Sequence, residues 1–167
     1  MEKVKLQLDK LRVLKIIIVH DLAEVIVGDV PAFEVSTRQD SKFEDESKAI
    51  RKIADYLNDK KLSDEIVELW TSFEKNITPE AKFAKAIDKL EVLIQHNNTD
   101  FSTWGDGDYL SNPYYCDNLF NSDSFLRSIK DVVDSETMEI LEKNNMLSKV
   151  KPEYQERWSA QKQKGNS

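Results

Sequence analysis

Leu11-Arg12-Val13-Leu14-Lys15-Ile16-Ile17-Ile18-Val19-His20-Asp21-Leu22-Ala23-Glu24-Val25-Ile26-Val27-Gly28-Asp29 is the stretch from which the rest of the chain is read. Its first half is too apolar all round for a surface helix, which predicts a core helix that Asp9 caps and that Gly28, followed by Pro31, ends. Its second half carries an imidazole and three carboxylates into that apolar run. On one continuous helix Glu24 stands four residues after His20 and three after Asp21, so the three side chains share a surface. An imidazole and clustered carboxylates at that spacing are what a divalent metal needs.

Working outward, the chain of 167 residues with 40% apolar side chains is long enough to bury a real core. Four glycines and four prolines, with helical apolar spacing nearly throughout, predict an all-α fold. A net charge of −7 provides no basic excess to displace counterions, which argues against duplex nucleic acid as a partner and leaves room for a single nucleotide in a pocket. Cys116 is the only cysteine, so an intrachain disulfide and a cysteine-rich zinc site are excluded, and the reading is a reducing, cytoplasmic setting. No apolar run is long enough to span a bilayer, and no membrane partner is expected.

Ser36 or Thr37 precedes an amphipathic helix carrying Phe43, Ala49, Ile50, Ile53, Ala54 and Leu57, with the charges from Lys42 to Lys52 read mostly as its solvated face. Ser63 opens a helix with Ile66, Leu69, Trp70 and Phe73. Thr78-Pro79-Glu80 is a start signal, Thr78 as cap and Pro79 in the first turn, for a helix with Asp88 and Glu91 in its middle. Residues 97–121 read as a long loop whose aromatics stack on a base, face a partner or pack on themselves. Two helices follow, near Ser124 to Val133 and from Ser135, the second capped by Ser135. The expected division is a helical domain over 1–147 and a charged, largely disordered tail over 148–167.

Asp88 is the partner assigned to His20 and Asp21. Its helix neighbours are apolar, and a buried carboxylate needs a cation or several donors. One imidazole and two carboxylates suit manganese, cobalt, iron or zinc, with magnesium also open, better than a thiol-seeking ion. Glu24 and Asp29 are then candidates for acid/base work at a water beside the metal, although Asp29 also fits a plain turn after Gly28. Glu91 fits either support of Asp88 or an ion pair with Lys85 or Lys89.

His20-Asp21, Glu24, Gly28-Asp29, Glu68-Leu69-Trp70 and Glu80-Ala81-Lys82-Phe83 leading into Ile87-Asp88-Lys89-Leu90-Glu91 together resemble the HD-domain metal-dependent phosphohydrolases, in their 5'-deoxynucleotidase branch. The likeness covers Asp9 to His96 and weakens beyond it. It implies an HD-domain helical bundle, often a homodimer, that uses a divalent metal to remove phosphate from nucleoside 5'-monophosphates. By position it makes His20, Asp21 and Asp88 metal ligands, and places Glu24 and Asp29 at the reacting phosphate and sugar. The family has a further histidine on a preceding helix, and no histidine precedes His20. The chain is therefore expected to be N-terminally short by a helix or two, with apolar surface uncovered beside Ile16 to Val27. His96, two turns beyond Asp88, is a poor substitute. Rival readings are a non-catalytic HD module kept for dimerisation or nucleotide binding, and an HD phosphodiesterase or (p)ppGpp hydrolase.

Overall fold

A computed structural model describes residues 7–29 and 37–165, and they are helical, with no strand among them. In chain order the helices are α1 (Lys10–Val19), α2 (Glu24–Val27), α3 (Thr37–Asp55), α4 (Lys60–Lys75), α5 (Pro79–Asn98), α6 (Asp106–Ser111), α7 (Ser124–Lys143) and α8 (Pro152–Gly165). The expected all-α fold is what is found. Pro31 and Ser36 lie outside the described residues. Among those residues no helix is long and apolar enough to cross a membrane. The described residues divide into two compact units within α5, the first ending at Lys85 and the second beginning at Ala86.

Two of the helix starts follow from the residues that announced them. Asp9 accepts the backbone N–H of Arg12 at 3.1 Å, and Thr78 Oγ1 accepts that of Ala81 at 3.1 Å with Pro79 in the first helical position. Helix α4 starts three residues before the expected Ser63, because Asp59 caps it by accepting from Leu62 N.

In the first unit Ile16 and Val19 of α1 pack with Leu69 and Phe73 of α4 and with Ala81 and Ala84 of α5. A second cluster joins Ala23, Ala49 and Ile50 to Trp70, and Leu22 and Ile66 lie against both. Burying an apolar side chain of this size contributes about 1.5–3 kcal/mol. Arg12 adds a two-pronged ion pair to Glu68, at 2.6 and 3.1 Å, across α1 and α4. The expected single core helix is corrected in two ways. It breaks after Val19 into a turn before α2, where Leu22, Glu24 and Val25 donate to carbonyls three residues back. It is also only half buried, for Leu11, Leu14, Ile18, Val25 and Ile26 are exposed while Val13, Ile16 and Val19 are not. Gly28 then ends α2 at φ 77°, a conformation that glycine adopts without a Cβ penalty.

The second unit is built round Trp104, Tyr114, Met138, Leu141, Val150 and Trp158. Three sequence expectations fail here, two of them because aromatic side chains recruit polar stretches into a core. Residues 97–121 are not a long loop but the end of α5, α6 and two short 3-10 turns, folded down by Trp104 and Tyr114. The two expected helices after Ser124 are one, α7, capped by Asp123, whose carboxylate accepts from Phe125 N and Leu126 N. The stretch expected as a disordered tail carries α8, pinned by buried Trp158 with Tyr154 packed beside it.

Candidate active site

His20 closes the last turn of α1, its backbone N–H donating to Ile16 O. Its side chain is 15% exposed and lies against the Phe73 ring, centroid to centroid 4.8 Å, whereas Asp21 in the following turn is 64% exposed. Apolar packing thus fixes the imidazole, and the turn carries the carboxylate out to solvent. Nδ1 of His20 is 2.7 Å from Ile17 O, which can only accept, so Nδ1 carries a proton and Nε2 is the nitrogen turned to Asp21 Oδ2 at 3.1 Å.

That pairing tests whether a metal fits. Two lone-pair donors facing each other at this distance repel unless a proton or a cation lies between them. A nitrogen and an oxygen donor, with the other ring nitrogen anchored on a backbone carbonyl, are the arrangement expected of a divalent-metal ligand pair. The donor set fits. Among the described residues, no group of three or more His, Cys, Asp and Glu side chains is placed to hold an ion.

Glu24 opens α2, its N–H donating to Asp21 O at 3.0 Å. Burial raises its carboxyl above the usual range, the charges of Asp21 and Asp29 raise it further, and Lys42 and His20 oppose them. A carboxyl raised in this way holds or yields a proton nearer to neutrality, as acid/base work requires. Asp29 is exposed just beyond Gly28. His20, Asp21, Glu24 and Asp29 all belong to the first unit.

Asp88 belongs to the second unit, on α5, with Lys89 Nζ 2.9 Å from its Oδ2. Burial alone would lower the Lys89 ammonium, but the hydrogen bond and charge of Asp88 hold it above its usual value. The expected ion pair of Glu91 with Lys85 or Lys89 is not what is found: Glu91 bonds Gln95, while Lys89 pairs with Asp88 and Lys85 with Glu74. His96 bonds Asn112 Oδ1 at 3.1 Å through Nδ1, with Asp108 3.7 Å away, an ordinary polar position near a helix end.

Sequence reasoning missed Lys42 and Glu46. Both fell in the run read as a solvated face, yet Glu46 is 3% exposed. The signal was present, since Glu46 stands three residues from both Phe43 and Ala49 and four from Ile50, on the apolar side of α3.

The HD domain family model matches residues 1–118. A 5'-deoxynucleotidase of Schizosaccharomyces pombe, hdd1, is 44% identical over 91 residues, which are 53% of this chain and 46% of that protein. The human 5'-deoxynucleotidase HDDC2 is 37% identical over 90 residues, covering 53% and 43%. Its Dictyostelium discoideum counterpart is 30% identical over 124 residues, covering 74% and 59%. The chain spans about half the length of the curated relatives it matches.

Proposed function

Because the chain belongs to the HD-domain family, whose phosphohydrolases use divalent metals, we propose that it removes phosphate from nucleoside 5'-monophosphates, deoxyribonucleotides first among them. The observation that carries this reading is the His20–Asp21 pair, tautomer fixed and donors converging, in the matched segment. His20 Nε2 and Asp21 Oδ2 would hold the metal, with manganese or cobalt favoured by the mixed donor set. Asp88 is proposed as a further ligand on its motif alone. When bound, such an ion polarises a phosphoryl oxygen and makes water a better nucleophile.

The chain's own residues do the rest. Phe73 and Ile17 O hold the imidazole in one orientation, which keeps Nε2 aimed without an entropic cost at each turnover. Glu24, whose carboxyl is raised by burial and by its acidic neighbours, takes a proton from the attacking water or returns one to the leaving 5'-oxygen. Asp29, exposed past the end of α2, would accept a hydrogen bond from a sugar hydroxyl. A cytoplasmic setting is proposed from the lone cysteine, and a homodimer from the exposed apolar residues of α1 and α2.

Phosphate release from a panel of ribo- and deoxyribonucleoside 5'-monophosphates, with manganese or cobalt added, is the test. Turnover favouring the deoxy substrates is expected, and Asp21→Ala is expected to abolish both metal uptake and release. A second reading, a non-catalytic module, draws on the lack of a three-ligand group among the described residues. Stoichiometric metal with turnover eliminates it; neither metal nor turnover establishes it.

A further inference from the structure

Glu46 sits on the buried side of α3 with its Oε1 inaccessible and without a hydrogen-bond partner. A carboxylate taken out of water without donors is costly, and one retained there calls for a reason other than packing. The nearest cation is Lys42, one turn earlier on the same helix, with Nζ 3.5 Å from Glu46 Oε1. The same Nζ is 3.7 Å from Oε1 of Glu24 on α2. Lys42 therefore lies between two carboxylates from two helices, one buried and one a quarter exposed.

Resting on the hydrolase reading above, we propose that Lys42 is a positioning residue for Glu24, held in place by Glu46. The buried carboxylate directs the lysine stem, since Lys42 is the cation that pairs with it among the described residues. The ammonium in turn ties down Glu24 at the start of the short helix α2, which has no side-chain cap and is otherwise held by buried Ala23 before it and half-buried Val27 at its end. A flexible acid/base carboxyl loses rate through misplacement, so the anchor acts on the chemical step and not on substrate affinity. The pairing also explains why a charged residue stands among Phe43, Ala49 and Ile50 on an otherwise apolar face.

Two readouts on the full chain decide it. The first needs no activity: urea unfolding of Lys42→Met, Glu24→Gln, Glu46→Gln and the two doubles containing Lys42→Met. Each double is expected to lose less than the sum of its singles. Additive losses for the Lys42 and Glu24 changes overturn the proposal. The second is steady-state phosphate release, where Lys42→Met is expected to lower kcat about tenfold or more with KM unchanged, and Lys42→Arg to recover most of it. A rise in KM at constant kcat would mean that Lys42 binds the substrate phosphate, which also overturns it. A wild-type chain without turnover refutes the hydrolase reading, and the unfolding cycle still decides whether Lys42 holds Glu24.

Discussion

Asp117 is the residue on which the charges of the second unit converge. Arg127 Nη1 approaches its Oδ1 at 2.6 Å from α7, and Arg157 Nη1 its Oδ2 at 2.9 Å from α8. Burial by itself would raise this carboxyl, but the hydrogen bonds from the two guanidinium groups outweigh it and hold the carboxyl below the usual range. A depressed carboxyl contributes stability that is complete above the unfolded value of about 4 and is lost as pH falls through the folded one. Tyr114 is the opposite case. It is buried with its hydroxyl donating to Gln161 at 2.9 Å, and burial, only partly offset by Arg157 over its ring, pushes it up to about 12. Its contribution is full below the unfolded value of about 10 and disappears as pH rises toward 12. Urea unfolding followed by tryptophan fluorescence should therefore show stability falling below about pH 4 and again above about pH 10. Asp117→Asn should flatten the acid limb and Tyr114→Phe the alkaline one. An alkaline limb that persists in Tyr114→Phe would place the titrating group elsewhere.

At the scale of elements, the same chain shows what a pattern of residues reveals and where it stops. Thr78-Pro79 and Asp9 mark their helices because a cap is local chemistry, a side-chain oxygen meeting an N–H two or three residues on. Ser135 looked like a cap and is not one: it lies inside α7, and its hydroxyl donates back to Asp131 O. The residue that does the capping is Asp123, buried and accepting two N–H groups. Asp123→Ala is accordingly expected to cost about 1–2 kcal/mol, and Ser135→Ala less than about 0.5 kcal/mol, in denaturant melts. Equal losses would contradict the assignment of the cap. The His20–Asp21 pair was legible, whereas the break between α1 and α2 was not. Apolar residues keep their spacing of three and four through the turn, so periodicity does not register the change from four-residue to three-residue hydrogen bonds. Glu46 was legible in principle, since its distance from Phe43 and Ile50 set it on the core side, but a run of charges was taken for a solvated face. For residues 97–121 no local signal was sufficient, because the fold of that stretch depends on where Trp104 and Tyr114 find a core.

The whole molecule adds a surface that neither residue nor element explains. Leu11, Leu14 and Ile18 recur at spacings of three and four along α1, and all three are more than half exposed. Soluble proteins seldom leave such a ridge uncovered, and a ridge of this regularity is self-complementary: two copies related by a twofold axis can bury the same residues of each against the other. The expected state is a homodimer through α1, seen in sedimentation velocity as a species of twice the monomer mass that dissociates on dilution. Ile18→Glu, on the ridge, should abolish it by placing two like charges in the seam, while leaving the helical signal in circular dichroism unchanged because the side chain already faces outward. Asp21 is one turn from Ile18, so a seam there also places the His20–Asp21 pair at its edge, and metal affinity should then differ between the dimer and the Ile18→Glu monomer. A wild-type chain that sediments as a monomer at every concentration, or an Ile18→Glu variant that remains dimeric, would rule out this face as the seam.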